Sequence, residues 1–160
     1  MRLIYLGKFV NTHGLKGEIR IISDFEFKES VFRVGNSIYI DNNKYIISSY
    51  RKHKNYDMVM LEGINNINDI EIYKGCNVYI DTDEYNFEYV YSDFIGMDVY
   101  MDNKYKGKVI EVLKSKLYPI LKIENNGNFL VPYTDVFVKK IDLENKSIII
   151  NSIKGLLDED

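Results

Sequence analysis

The segment GKFVNTHGLKGEIRI, residues 7–21, holds the residues of this chain best suited to chemistry or to anion binding. They are His13, Gly14, Lys16, Gly17 and Arg20. A phosphate-binding loop of the GxxxxGK[ST] type would lead into a helix, whereas HGLKGE leads into a run typical of a strand. A histidine that acts as a general base needs an orienting carboxylate and a nucleophile, and the sequence shows no such pairing. The pattern therefore favours a shaped loop with a partly exposed histidine, whose glycines supply positive φ angles, over a catalytic loop.

The second histidine, His53, lies in the basic segment YRKHKNYD. This segment is typical of a solvated turn, and a contact with an RNA phosphate is the alternative. Two distant histidines and the single Cys76 lack the spacing of a metal site or of a disulfide framework. Asp142 and Glu144 resemble a pair of catalytic carboxylates, but they lie in a predicted turn, where acids are common. We therefore expect no metal, no cofactor and no enzymatic activity.

Residues 81–102 combine acids with aromatic side chains and contain no lysine or arginine. The acids of this acidic strip are Asp81, Asp83, Glu84, Glu88, Asp93, Asp98 and Asp102, and its aromatics are Tyr85, Phe87, Tyr89, Tyr91, Phe94 and Tyr100. Charge of one sign steers an oppositely charged partner, and aromatic side chains anchor interfaces. We expect the acidic strip to dock a basic protein. The alternative is that its aromatics pack between two domains while its acids only solubilise.

The composition indicates a folded chain of one domain or two small ones, because 46% of the 160 residues are hydrophobic and 28% are charged. The net charge of −3 excludes a protein that binds nucleic acid through a general basic excess. No apolar run approaches the roughly 20 residues that span a bilayer, and no signal segment opens the sequence. We therefore expect a cytoplasmic protein.

Strand patterns dominate the chain, with hairpin turns predicted at 41–43, 102–103, 126–127 and 144–145. The segment INNINDIEIYKG, residues 64–75, has the spacing of one short amphipathic helix that ends at Gly75. We predict an all-β fold with two small β-barrel domains, residues 1–82 and 89–160, joined by a short linker at 83–88. A single barrel with an appended sheet is the alternative.

The segment GKFVNTHGLKGEIRI also resembles the opening signature of the ribosome maturation factor RimM family. The resemblance continues, in the expected order, at YVYSDFIGMDVY, at KGKVIEVL and from LVPYTDVF to the end of the sequence. It implies a translation-factor-like N-terminal barrel and a PRC-type C-terminal barrel. It also implies a monomeric, non-enzymatic assembly factor that supports late maturation of the small ribosomal subunit and processing of its rRNA.

The same resemblance implies a partner and its contact residues. The partner is a basic ribosomal protein of the small-subunit head, uS19, with a weaker contact to small-subunit rRNA. Family members usually carry two adjacent aromatics before an Asp-Leu-Ile/Met-Gly segment; here Val90 replaces the second aromatic and Phe94 replaces the leucine. The partner-binding residues that we expect are His13, Gly14, Lys16, Gly17, Arg20, Tyr89, Tyr91, Asp93 and Phe94. A further departure is Tyr118-Pro119, where the family commonly has a Gly-x-Asn-Asp turn.

Three rival interpretations make different predictions. A standalone RNA-binding barrel would bind naked rRNA tightly, with a steep salt dependence. A ligand-binding or enzymatic module would contain a buried pocket lined by ionisable groups with shifted pKa values. An inert structural subunit would remain on mature subunits in stoichiometric amounts.

Overall fold

The computed structural model describes residues 1–152, so residues 153–160, at the end of the predicted second domain, lie outside the described residues. The chain divides into two compact units, Met1–Glu88 and Tyr89–Asp160. Strands dominate both units, as the sequence predicts. Within residues 1–152 no helix is both long and apolar enough to cross a membrane.

Six antiparallel strands close the first unit into a barrel. They are β1 (Leu3–His13), β2 (Glu18–Ile22), β3 (Ser37–Ile40), β4 (Asn43–His53), β5 (Tyr56–Leu61) and β6 (Asn77–Asp81). Their order around the barrel is β1-β2-β5-β4-β3-β6, and β6 pairs with β1 to complete the circle. Each of these strands is thus paired on both sides, which removes exposed sheet edges that favour aggregation.

Alternating side chains explain why the barrel has a core. On β2, Ile19 and Ile21 are fully buried, whereas Glu18 and Arg20 are partly exposed. Successive residues of a strand point to opposite faces of the sheet, so the isoleucines line the barrel interior and the charged residues lie outside. The outer face of β2 is therefore available to carry recognition groups.

A buried carboxylate ties the short helix α1 (Lys28–Val31) to the barrel. Asp57 on β5 is 1% exposed and accepts hydrogen bonds from Lys28 Nζ at 3.0 Å and from the Tyr50 hydroxyl at 2.6 Å. Burial is the largest single influence on the pKa of the Lys28 amine and lowers it, but the hydrogen bond and charge of Asp57, together with the charge of Asp24, produce a net rise in that pKa. Burial and the Asp57 carboxylate also raise the pKa of the Tyr50 hydroxyl. Lys28 therefore remains a cation at neutral pH.

We expect Asp57→Asn to destabilise the protein by about 2 kcal/mol, because the amide removes the carboxylate that is hydrogen-bonded to the partly buried Lys28 ammonium. Asp69→Asn is the matched control, since Asp69 is exposed, and it should change the free energy of unfolding by less than about 0.5 kcal/mol. Urea unfolding of both variants at neutral pH measures the difference. Equal stability of the two variants would contradict a role for the cluster.

The prediction of an amphipathic helix over residues 64–75 is wrong. The segment instead forms two 3₁₀ turns, Ile67–Asp69 and Glu71–Tyr73. The first is capped by Asn66, whose side chain accepts a hydrogen bond from the backbone N–H of Asn68 at 2.8 Å. Asparagine side chains compete with the backbone in this way, which favours caps and turns over a continuous helix. Ile70 is fully buried but Ile72 is 80% exposed, so the spacing does not form one apolar face.

The second unit contains a six-stranded sheet and the short helix α2 (Tyr91–Phe94). Its strands are β7 (Asp98–Met101), β8 (Lys104–Leu113), β9 (Ile120–Glu124), β10 (Asn128–Pro132), β11 (Val138–Asp142) and β12 (Ser147–Ile150). Their order is β10-β9-β8-β7-β12-β11, and the β12–β7 pair alone is parallel among these described strands. Fully buried Phe94, Val99, Leu121, Ile123 and Ile148 lie at the centre of the core.

The four predicted hairpin turns are confirmed. They connect β3 to β4, β7 to β8, β9 to β10 and β11 to β12. Positive φ angles occur in these turns at Asp41, Asn42, Asp102, Asn103, Asn126, Gly127 and Lys146. Asn, Asp and Gly adopt this left-handed conformation most readily, which is why the sequence signalled most of these turns in advance.

Residues 83–88, predicted as a linker, carry two aromatic side chains that pack within the first unit. The rings of Tyr85 and Phe87 are stacked with centroids 5.0 Å apart. Phe87 in turn contacts Phe25 at 5.9 Å and Phe27 at 5.0 Å. Burial raises the pKa of Tyr85 to about 12. This part of the acidic strip therefore contributes its aromatics to the packing of the first unit.

Candidate functional site

The loop between β1 and β2 is held against the first 3₁₀ turn. Gly14 and Gly17 both have positive φ, at 74° and 93°. The carbonyl oxygen of Leu15 accepts a hydrogen bond from the backbone N–H of Ile67 at 2.9 Å, and Gly17 is buried beside Ile64. The predicted site residues His13, Gly14 and Lys16 are exposed. The glycines thus shape the loop, as predicted, and leave its polar side chains accessible.

Arg20 joins the loop to the outer face of the barrel. Its Nη2 lies 2.8 Å from Nδ1 of His13, and its Cζ lies 5.6 Å from the centroid of the Tyr56 ring. Arginine can only donate, so Nδ1 of His13 is the acceptor in this contact. The Tyr56 contact is within the range of a cation–π interaction. The structure therefore brings the predicted His13 and Arg20 together.

Arg51 lies on β4 next to the predicted loop residues, and the sequence reasoning did not single it out. Its Nε and Nη2 donate to the two carboxylate oxygens of Glu18, each at 2.9 Å. This bidentate hydrogen bonding lowers the pKa of Glu18. The segment YRKHKNYD was noted as basic, but its proximity to β2 follows from the pairing of β5 between β2 and β4. A single sequence gives no signal for that pairing.

The second predicted site centres on an aromatic cluster in the other unit. The ring of Tyr89 lies 5.1 Å from that of Phe94 and 5.2 Å from that of Tyr133, centroid to centroid. Phe94 and Tyr133 lie 4.9 Å apart. Tyr89 and Tyr91 are half-buried against the core, so each keeps part of its surface exposed. Tyr133 was not predicted as a site residue, although it lies in the quoted segment LVPYTDVF.

The expectation that Phe94 contacts a partner is corrected by its burial. Its side chain is 0% exposed, which leaves no surface for an interface. Asp93 forms a local contact as well, because its Oδ2 accepts the backbone N–H of Val90 at 2.8 Å at the start of α2. Val90 is 2% exposed, so the residue that replaces the second family aromatic lies in the core. Tyr89 and Tyr91, on either side of it, remain as the aromatic candidates.

Several acids of the acidic strip are engaged within their own units. Asp81 accepts the backbone N–H of Arg2 at 2.9 Å, and this bond lowers the pKa of its carboxyl. Glu84 forms an ion pair with Lys44 at 3.1 Å, and Asp98 is paired with a lysine of β8 at 2.6 Å. These contacts reduce the negative field of the strip below what its composition suggests.

The Tyr118-Pro119 departure lies beside the aromatic cluster. The carbonyl oxygen of Pro119 accepts the backbone N–H of Tyr133 at 2.8 Å. Within the same loop the hydroxyl of Ser115 donates to the carbonyl oxygen of Tyr118 at 2.5 Å. These bonds connect the loop before β9 to the residue that packs against Tyr89.

The fold is that of a β protein with two compact units. The first unit exposes polar loop residues near Arg20 and Arg51, and the second unit leaves part of Tyr89 and Tyr91 exposed. Across residues 1–152 no three His, Cys, Asp or Glu side chains come together as metal ligands. The side chains of these two surfaces can form hydrogen bonds, ion pairs and aromatic contacts.

Comparison with known proteins gives the family. The family model described as the RimM N-terminal domain matches residues 4–85, and that of the RimM PRC barrel domain matches residues 91–156. Two relatives named Ribosome maturation factor RimM, from Staphylococcus epidermidis and Staphylococcus aureus, are each 39% identical over 97% of this chain and 99% of their own length. The chain belongs to the RimM family.

One solved structure is also similar to this chain. It is the 16S ribosomal RNA processing protein RimM from Pseudomonas aeruginosa, which is 18% identical with a TM-score of 0.46 and covers 95% of this chain and 98% of its own. The predicted all-β fold with RimM N-terminal and PRC barrel domains is confirmed by the family matches.

Proposed function

We propose that the protein is a non-enzymatic assembly factor that binds the small ribosomal subunit and supports maturation of its rRNA. The observation that carries this proposal is 39% identity, over 97% of the chain, to relatives named Ribosome maturation factor. Identity at this level over both domains supports a shared function as well as a shared fold. The surfaces described above contain groups for binding and fit this function.

The second unit supplies the main contact in this proposal, with the basic head protein uS19 as its partner. Tyr89 is already packed against Phe94 and Tyr133, so docking costs little side-chain entropy. Partly exposed tyrosines that are held by a core are typical anchors of interfaces. Glu88, exposed and next in sequence, adds negative charge that attracts a basic partner. Asp93 orients the start of α2 between the two tyrosines.

The first unit supplies a weaker contact with small-subunit rRNA. His13, Lys16 and Arg20 present polar groups at the end of the barrel, and Gly14 and Gly17 set the path of the loop. The net charge of −3 keeps this contact secondary, because phosphate binding strengthens with positive charge. Protein docking then provides most of the affinity.

Co-sedimentation with free small subunits, free large subunits and whole ribosomes tests the proposal. We expect selective binding to free small subunits and competition by purified uS19. Replacing Tyr89 and Tyr91 together by alanine should weaken binding by at least about 2 kcal/mol, roughly thirtyfold, if both are central anchors. Tyr105→Ala is the matched control, because Tyr105 is also a tyrosine of the second unit and is 47% exposed.

Two results would contradict the proposal. Binding to no ribosomal particle would remove the assembly function, and preference for large subunits would assign a different target. A folded double variant that binds like the Tyr105→Ala control would leave the function standing but remove the two tyrosines from the interface. Circular dichroism of each variant establishes that it is folded.

A further inference from the structure

The strand register places two arginines on one outer face of the first barrel. Arg20 of β2 pairs with Met58 of β5, and Arg51 of β4 pairs with the same Met58 from the other side. Directly paired residues of antiparallel strands lie on the same face of a sheet. Ile19, the neighbour of Arg20, is fully buried in the barrel core. Arg20 and Arg51 therefore lie on the outer face of the barrel, on either side of Met58, which is itself fully buried.

Aromatic and imidazole rings extend this face toward the turn between β4 and β5. Tyr56 lies two residues before Met58 and pairs with His53. Arg20 is stacked over the Tyr56 ring and bonded to His13. A guanidinium next to an aromatic ring is suited to a ligand that is both planar and anionic.

Lysines border the face at both ends. Lys16 is exposed in the loop between β1 and β2, and Lys54 is exposed in the turn between β4 and β5, at a φ of 56°. Glu18 on the same face accepts hydrogen bonds from Nε and Nη2 of Arg51, so these two charges offset each other and the positive excess of the face comes from Lys16, Arg20 and Lys54. The face is therefore cationic although the whole chain is acidic.

We propose that this cationic face binds single-stranded RNA. Its members are His13, Lys16, Arg20, Arg51, His53, Lys54 and Tyr56. The arginines and lysines contact phosphates, and an unpaired base stacks beside Arg20 and Tyr56. An acidic peptide would match the charges but would leave the stacking groups unused. This inference rests on the proposed function, because it specifies the RNA contact of the first unit, and it adds the β4–β5 hairpin to that contact.

The expected binding is modest and depends on salt. A face of this size neutralises only a few phosphates, and each phosphate contact adds about 0.7 to the slope of log K against log salt for a single strand. Acidic side chains elsewhere on the protein repel the phosphates of the RNA that lie beyond this face. Binding is therefore strongest at low ionic strength and is confined to this face.

The test uses the full-length protein and a fluorescein-labelled single-stranded RNA of about 12 nucleotides, within the site sizes of small β-barrels. Fluorescence anisotropy, at salt from about 50 to 200 mM, gives the affinity and the salt slope. We expect Arg20→Gln and Lys54→Gln each to weaken binding about threefold to tenfold and to lower the slope. Arg20→Lys should keep the slope but still lose affinity, because a lysine lacks the planar fork that stacks with a base.

Lys8→Gln is the matched control. Lys8 is an exposed lysine of β1 that pairs with Ile22 and Asn77, away from Met58, and its loss changes the total charge by the same amount as Lys54→Gln. Lys54 is exposed at a hairpin tip, so its replacement tests the inference even if an Arg20 variant fails to fold. Equal affinities for Lys54→Gln and Lys8→Gln would overturn the proposal, as would absence of RNA binding by the wild-type protein.

A competition separates RNA from an acidic protein partner. Displacement of the labelled RNA by poly-glutamate as efficiently as by unlabelled RNA, at equal charge, would assign the face to an acidic protein and overturn the RNA proposal. The co-sedimentation experiment stands apart from this test. If the wild-type protein binds small subunits but not the RNA strand, this inference fails while the proposed function is retained.

Discussion

Phe94→Ala is expected to destabilise the second unit by about 4 kcal/mol, because Phe94 is fully buried and its loss leaves a cavity in the core. Its ring contacts with Tyr89 and Tyr133 would be lost as well, each worth about 1 kcal/mol beyond the buried area. Urea unfolding followed by tyrosine fluorescence measures the change. A variant as stable as the wild type would show that Phe94 is not part of the core.

Phe94→Leu is the informative companion variant. Leucine is the residue that the family resemblance led us to expect there, and it fills more of the Phe94 site than alanine does, so this variant should cost less stability than Phe94→Ala although it also loses the two ring contacts. If Phe94 acts only by packing, this variant should bind small subunits like the wild type. Loss of subunit binding by a folded Phe94→Leu protein would restore Phe94 as a partner contact and contradict the interpretation of its burial.

Gly17→Ala is expected to destabilise the first unit by about 3 kcal/mol, whereas Gly14→Ala should cost only about 1 kcal/mol. Both glycines have positive φ, so both variants carry backbone strain. The two costs differ because the two sites leave different room for an added Cβ atom. A Cβ on Gly17 would lie 2.8 Å from Cγ2 of Ile64, whereas a Cβ on Gly14 would have no neighbour within 4 Å. Urea unfolding of the two single variants measures both costs under the same conditions.

A double-mutant cycle isolates the contact between Gly17 and Ile64. Truncating Ile64 to alanine in the Gly17→Ala background removes the clashing methyl group, so the two changes together should cost less than their sum by about 1 kcal/mol. Additive effects would show that Ile64 moves aside without cost. Equal stabilities of Gly17→Ala and Gly14→Ala would contradict the importance of the close approach.

Local sequence patterns predicted the secondary structure well where the determinants are local. Alternating residues such as Ile19 and Ile21 specify a strand with one buried face, and the pair Asn126-Gly127 specifies a tight turn. The helix predicted over 64–75 failed for a local reason too. Its asparagines cap short turns, and Ile72 points to solvent where a helix would need it buried.

The sequence also identified the family and the loop with His13 and Arg20, because residue types at short spacing can be read along one stretch of chain. It could not separate Phe94 from Tyr89 and Tyr91, since all three are aromatic and adjacent, and burial depends on the residues that pack around them. Phe94 is covered partly by Tyr133, which is distant in the sequence.

By itself, then, the sequence determined the strands, the turns, the two-domain fold and the glycine-shaped loop between β1 and β2, all of which depend on neighbouring residues. The tertiary structure alone decided the strand order, which places β5 between β2 and β4. That order sets Arg51 and Tyr56 beside Arg20. The pairing joins residues distant in the chain, and its stability comes from closing the whole barrel, so no local pattern could have specified the cationic face.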